Sequence, residues 1–193
     1  ACHFCAQLLA DSLVESERFS LCVNISPRQF RQHDFVERVA SSLRDSQLPN
    51  AMLKLEITEG IVIQNIDDTV GKMLRLKKHG VSFAMDDFGT GYSSLARLKR
   101  LPVDKLKLDQ SFVRGLPDDP EDAAITRAVI ALGKSLGLKV LAEGIEQPEQ
   151  ADFLRGLGGD YGQGYHFGRP QPVGAICADI SSPDEAGKNQ PTA

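Results

Sequence analysis

The stretch SFAMDDFGTGYSS, residues 82–94, indicates the fold most strongly. A short, mainly apolar run ends in two adjacent carboxylates, Asp86 and Asp87, and a turn rich in glycine and hydroxyl side chains follows at once. Such a run is typical of a buried strand. The carboxyl end of this strand is either part of a functional site or an ordinary turn. The rest of the sequence provides the evidence that distinguishes these two interpretations.

From Ser20 onward, short apolar segments alternate with longer segments of helical period. We predict helices through Phe35, Val39 and Leu43 with Asp34 as the cap, and through Ile125, Val129, Leu132 and Leu136. Two more are predicted over YSSLARLK (92–99) and PEQADFLRGLG (148–158). The predicted strands are SLCVNIS (20–26), MLKLEITE (52–59), VSFAMDD (81–87), DKLKLDQ (104–110), KVLAEGIE (139–146) and DYGQGYHF (160–167). Strands that alternate with helices predict βαβ units and a parallel sheet.

Polar and apolar residues alternate within the predicted strands. In LKLEIT, Lys54, Glu56 and Thr58 alternate with leucine and isoleucine. An exposed antiparallel sheet would give the same pattern, but the intervening helices favour a parallel barrel whose apolar strand face meets helices and whose polar face points inward. We therefore expect an α/β protein with a (β/α)8 TIM-like barrel, here a portion of about six βα units over residues 1–180. Residues 181–193 have no apolar period, and we expect a disordered tail.

Polar side chains gather at the ends of these strands. Parallel strands bring their carboxyl ends to one mouth, so these residues are expected to converge. A single one of them would more simply be a strand-end cap or a surface charge. Most carry oxygen ligands of the kind that Mg²⁺, Mn²⁺ or Ca²⁺ prefers, adjacent carboxylates suit a site with two ions, and a lysine could hold a water or a phosphate oxygen. The set is Asn24, Glu56, Asp86, Asp87, Lys107, Glu143 and Gln163.

Composition excludes two other classes of protein. The 193 residues are 41% hydrophobic and carry a net charge of −4, which fits one domain and argues against binding to a nucleic-acid polymer. No apolar run approaches the roughly 18 residues that cross a bilayer, so we expect no membrane insertion of this domain.

The motifs VNIS, LEITE, DDFGTGYSSL, KLDQSFV, AEGIE and QGYHFGRPQP, from about residue 20 to 172, resemble the ordered motif series of the EAL domain family. The resemblance implies a barrel fold and a cyclic di-GMP phosphodiesterase of bacterial second-messenger signalling. Such an enzyme uses two Mg²⁺ or Mn²⁺ ions to open one phosphodiester and give linear pGpG. The alternatives are a non-catalytic cyclic di-GMP receptor, which would be expected to lack several acidic ligands, and a structural or dimerisation module.

The resemblance also implies roles for individual residues. Asn24, Glu56 and Asp86 resemble ligands to one metal, and Asp86 also reaches the second. Asp87 resembles a second-metal ligand. Lys107 resembles the residue that holds the hydrolytic water, and Glu143 is either a second-metal ligand or a general base.

Further positions match supporting residues of the family. Gln163 resembles a glutamine that supports the site, and Pro170 and Pro172 resemble residues that flank the substrate groove. Glu59 resembles the glutamate that anchors the mobile loop after Asp87, although a carboxylate at a helix start is an equally simple reading. A homodimer, upstream sensory or regulatory domains and a cytoplasmic location are the remaining expectations.

One family feature is absent from these residues. No Glu-Ala-Leu segment occurs, and the chain opens inside an apparent helix, so we expect a fragment that lacks two strands of the usual eight. We expect these residues alone to bind metal weakly and to show little activity. A chain extended upstream by roughly 60 residues, about two βα units, should be active.

Overall fold

One parallel sheet organises the part of the chain that the computed structural model describes, which is residues 2, 5, 6, 19–62, 65–89, 95–172 and 175. Six strands lie side by side in sequence order, and each pairs in parallel with the next. They are β1 (Leu21–Ile25), β2 (Leu53–Thr58), β3 (Ser82–Phe88), β4 (Lys105–Leu108), β5 (Lys139–Ala142) and β6 (Tyr161–Gly162).

Helical segments fill the connections between the strands. The α-helices are α1 (Pro27–Phe30), α2 (Phe35–Ser46), α3 (Glu59–Val62), α4 (Ile66–Lys78), α5 (Leu95–Leu98), α6 (Pro120–Ser135) and α7 (Pro148–Gly156). Short 3₁₀ turns lie at Asn50–Met52 and Gln110–Phe112. The longest helix, α6, begins where Asp119 accepts hydrogen bonds from the backbone of Glu121 and Asp122, with Pro120 in the first turn.

The strand order explains the curled, barrel-like shape. Parallel crossovers are nearly always right-handed, so strands added in sequence on one side place every helix on the same face of the sheet. Leu55, Ile57, Leu106 and Leu108 turn toward that helical face and are almost fully buried. Each contributes roughly 1.5–3 kcal/mol on burial. The opposite face becomes the interior, and the predicted α/β barrel portion with six strands is confirmed.

Local details differ from the sequence-based prediction. The sixth strand has two residues instead of eight, because the chain turns at Gly164, whose backbone packs against the backbone of Ile145. Asp34 precedes α2, but its side chain makes no capping hydrogen bond. The described part of the helix predicted at 92–99 is α5, and the tail predicted at 181–193 lies outside the described residues.

Asp160 ties the last two strands together at their amino ends. Its carboxylate accepts hydrogen bonds from the backbone N–H of Val140 at 2.9 Å and from Lys139 Nζ at 2.7 Å. Burial would raise the pKa of Asp160, but these hydrogen bonds lower it below its usual value. The carboxylate therefore stabilises the β5–β6 pairing in its ionised form.

Among the helices described, none combines the length and the apolar character that a membrane span requires.

Candidate active site

Six of the seven polar residues predicted from the strand ends converge at the carboxyl edge of the sheet, and Gln163 is described below. Register explains the first part of the cluster, because Asn24 of β1 pairs with Glu56 of β2, and Thr58 at the end of β2 pairs with Asp86 of β3. Lys107 lies in β4, and Glu143 directly follows β5. The alternation of polar and apolar residues in the strands turns these side chains to the interior face.

Lys107 lies at the centre of the cluster. Its Nζ is 2.7 Å from Glu56 Oε2, 2.9 Å from Asp86 Oδ1 and 2.8 Å from Glu143 Oε1. The residue is 4% exposed. One ammonium therefore faces three carboxylates, and two negative charges in a poorly hydrated place are left without a compensating cation among these groups.

The electrostatics of the cluster follow from burial and from these contacts. Burial alone would lower the pKa of Lys107, but hydrogen bonds to Glu143, Glu56 and Asp86 raise it above its ordinary value. The pKa of Glu143 is raised mainly by burial, and Lys107 opposes that rise. Lys107 is thus held charged, whereas Glu143 is more easily protonated than a carboxylate in water.

Asp87 reaches the same site through an irregular backbone. Adjacent residues of a regular strand point to opposite faces, so Asp86 and Asp87 should diverge. The β3–β4 register shifts between Met85 and Phe88, and Asp87 has a φ of 53°, which is uncommon for a residue other than glycine. With this bulge, carboxylate oxygens of Asp86, Asp87 and Glu143 all lie within 4.8 Å of one another. Burial, followed by the charges of Asp86 and Asp109, raises the pKa of Asp87.

The Asn24 amide can face the carboxylates with either end. With its nitrogen inward, it donates to Asp86 Oδ2 at 3.0 Å and to Glu56 Oε2 at 3.2 Å. With its oxygen inward, it places an amide oxygen beside the two carboxylates, which is favourable where a cation lies between these three oxygen ligands. The chemistry of this donor set fits a divalent metal ion, since its members are oxygen ligands with excess negative charge.

Glu59 connects this cluster to the loop that follows β3. It begins α3 directly after β2, and its carboxylate accepts a hydrogen bond from the backbone N–H of Gly89. Burial raises the pKa of Glu59, and the charge of Asp87 adds to the rise, while the Gly89 hydrogen bond opposes it. Gly89 has a φ of 102°, and a Cβ there would lie 3.0 Å from the Phe112 ring. Residues 90–94 lie outside the described part.

The three other predicted residues, Gln163, Pro170 and Pro172, are exposed. The backbone of Gln163 bonds to Ala142 and Ile145, but its exposed side chain has no hydrogen bond to the rest of the described chain. Pro170 and Pro172 are exposed near the end of the described segment. Sequence reasoning gave Asp109 no role, although it lies two residues after Lys107 and acts on the pKa of Asp87. Its place at the end of a strand was the available signal.

Comparison with known proteins identifies the family of this chain. The model of the EAL domain matches residues 1–170. The chain therefore belongs to the EAL domain family, as the sequence motifs predicted. It is 42% identical over 172 residues to the cyclic di-GMP phosphodiesterase NbdA of Pseudomonas aeruginosa. That alignment covers 89% of this chain and 22% of NbdA, so the chain spans less than a quarter of that relative's length.

Solved structures of phosphodiesterases and related proteins also resemble this chain in fold and sequence. One is the PaMucR phosphodiesterase of Pseudomonas aeruginosa, solved in complex with c-di-GMP. It is 39% identical to this chain with a TM-score of 0.85, and the alignment covers 91% of this chain and 70% of that chain. Klebsiella pneumoniae BlrP1, solved as a manganese/cy-diGMP complex, has a TM-score of 0.77 and 31% identity, covering 88% of this chain and 42% of that one.

Proposed function

We propose that the protein hydrolyses cyclic di-GMP to linear pGpG with the help of divalent metal ions. The observation that carries this proposal is the group of three carboxylates, Glu56, Asp86 and Glu143, around the Lys107 ammonium, with a fourth, Asp87, beside Asp86 and Glu143. Such an excess of negative charge at a strand-end site favours the binding of cations, and a phosphodiester carries charge that cations and an ammonium can bind. Membership of the EAL domain family and the names of the relatives support the choice of substrate.

Two Mg²⁺ or Mn²⁺ ions are the proposed cofactors. Asn24, Glu56 and Asp86 would hold one ion, and Asp86, Asp87 and Glu143 would hold the other. When bound, such ions lower the pKa of water and stabilise charge on a phosphate. The manganese complex of BlrP1 is consistent with this choice of metal.

The reaction requires a water oxygen to bond to phosphorus while the phosphorus bond to the 3′ oxygen breaks, and that oxygen must gain a proton. Lys107 would donate a hydrogen bond to the water or to a phosphate oxygen in exchange for one of its three carboxylate contacts, since its amine stays charged. Burial raises the pKa of Glu143, which would make this carboxylate a better proton acceptor than one in water. Glu143 would act either as the general base or as a ligand to the second ion.

The supporting residues have proposed roles as well. Glu59 would hold the loop after Asp87 through Gly89. Gln163 would support the site, and Pro170 and Pro172 would flank the bound nucleotide. The chain spans 22% of NbdA, and further domains in the whole protein belong to the proposal. A homodimer and a cytoplasmic location belong to it as well.

The test is to incubate the intact protein with cyclic di-GMP and Mg²⁺ or Mn²⁺ and to separate the nucleotides by chromatography. The proposal expects linear pGpG in these reactions and none from the D86N variant, which lacks a central carboxylate. Binding of cyclic di-GMP without any conversion in either metal would instead identify a receptor. Unchanged activity of D86N would contradict the proposed site.

A further inference from the structure

Gln150 is a buried residue of α7 whose side-chain amide uses both of its ends. Its Oε1 accepts hydrogen bonds from the backbone N–H of Glu146 at 2.8 Å and of Gln147 at 3.0 Å. Its Nε2 donates to the carbonyl oxygens of Val113 at 3.1 Å and Arg114 at 3.3 Å. The residue is 5% exposed, so few of these bonds can be replaced by bonds to solvent.

The four hydrogen bonds join the loop that carries Glu143 to the segment that follows the Lys107 strand. Residues 143–147, here called the Glu143 loop, follow β5 and begin with Glu143. Residues 109–114, here called the post-β4 segment, follow the strand that carries Lys107. Gln150 bonds to the end of each, although it touches neither the Glu143 carboxylate nor the Lys107 ammonium.

The path of the Glu143 loop leaves little freedom where the loop begins. The next residue, Gly144, has a φ of 71°, and a Cβ there would lie 2.5 Å from Gln110 Cβ, so the loop packs directly on the post-β4 segment. The backbone N–H of Ile145 donates to the Gln163 carbonyl. Gln150 fixes the other end of the loop, so the direction of Glu143 depends on contacts at both ends.

We propose that Gln150 is a positioning residue that holds Glu143 in contact with Lys107, an inference that rests on the proposed function. A side chain of similar length without hydrogen-bonding groups would leave the N–H groups of Glu146 and Gln147 unpaired, and the loop would move toward water to satisfy them. Displacement of a reacting group by about 1 Å can lower a rate about 10²-fold.

The kinetic test compares Q150M and Q150E with the intact wild-type protein. Methionine removes all four hydrogen bonds at similar volume, and we expect kcat to fall about 10²-fold while KM stays within about threefold, as for an interaction needed only in the transition state. Glutamate keeps the acceptor for Glu146 and Gln147, so Q150E should fall between wild type and Q150M.

A control variant from the same helix separates positioning from general stability. Leu154 is buried in α7 and its side chain makes none of these hydrogen bonds, so L154A should weaken the fold through a cavity and leave kcat within about threefold of wild type. Hydrogen exchange gives a readout that needs no activity. The amides of Glu146 and Gln147 should exchange about tenfold faster in Q150M and at the wild-type rate in L154A.

The outcomes distinguish this inference from the proposed function. A wild-type protein that never converts cyclic di-GMP would contradict the proposed function, while the exchange rates would still decide whether Gln150 holds the loop. Normal kcat in Q150M, an equal fall in L154A, or unchanged exchange at Glu146 and Gln147 would each overturn the role of Gln150.

Discussion

Replacement of Lys107 by methionine is the most informative perturbation of the cluster. The ammonium contacts Glu56, Asp86 and Glu143 at 2.7–2.9 Å and is buried, so its removal leaves three carboxylates facing one another. Breaking a buried ion pair by removing one partner costs about 3–5 kcal/mol. We expect K107M to lose free energy of unfolding on that scale at neutral pH in chelator.

The loss of unfolding free energy in K107M should depend on pH, and the direction of this dependence follows from the pKa of Glu143. Lys107 opposes the rise in the Glu143 pKa, so the variant should have a higher Glu143 pKa in the folded state than the wild type. A folded state that binds more protons than the unfolded state becomes less stable as pH rises. The destabilisation of K107M should therefore be larger at about pH 8 than at about pH 5.5, because a lower pH favours the protonated form of Glu143.

Urea unfolding at both pH values in chelator measures this effect. K139M is the matched control, because the exposed Lys139 forms a solvent-screened pair with Asp160, so this variant should lose far less stability than K107M. Adding Mg²⁺ should restore part of the stability of K107M, since a cation would again compensate the carboxylates. Stability within about 1 kcal/mol of wild type at both pH values would refute the reasoning that Lys107 balances the charges of the cluster.

Three further predictions concern the reaction and the fold. E143A should lower turnover of cyclic di-GMP about 10²-fold or more, with a smaller effect on unfolding, and normal turnover measured by chromatography would exclude a role for Glu143 in the reaction. Mg²⁺ or Mn²⁺ should support hydrolysis and Ca²⁺ should bind but support it poorly, whereas full activity in excess chelator would contradict the proposed metal site. D160N should lower the free energy of unfolding by about 1–2 kcal/mol at neutral pH. Because the folded-state pKa of Asp160 is lowered, this stabilisation is present above the unfolded-state pKa of about 3.9 and disappears as pH falls through the folded-state pKa. Equal stability of D160N and wild type in urea at neutral pH would contradict this prediction.

The sequence predicted the fold and most of the polar cluster because both follow from periodicity. Alternation in β2 and β4 placed Glu56 and Lys107 on the interior face, and parallel pairing brought them to one edge. The contact of one lysine with three carboxylates is a property of distances, which a sequence pattern does not contain.

Two features could not be predicted in this way. Strand periodicity places Asp86 and Asp87 on opposite faces, and only the bulge with its left-handed Asp87 lets both reach Glu143. Gln150 gave no signal, because a polar residue in the first turn of a predicted helix is normally exposed, whereas this one is buried by loops from distant parts of the chain.

The most direct test of the central claim is a mass spectrum of the products that the intact protein forms from cyclic di-GMP in ¹⁸O-labelled water with Mn²⁺. Hydrolysis of one phosphodiester predicts linear pGpG with a single ¹⁸O atom on its terminal phosphate, and no such product from K107M. Recovery of unlabelled cyclic di-GMP alone from wild-type protein that binds it, or labelled pGpG in equal amount from K107M, would contradict the account.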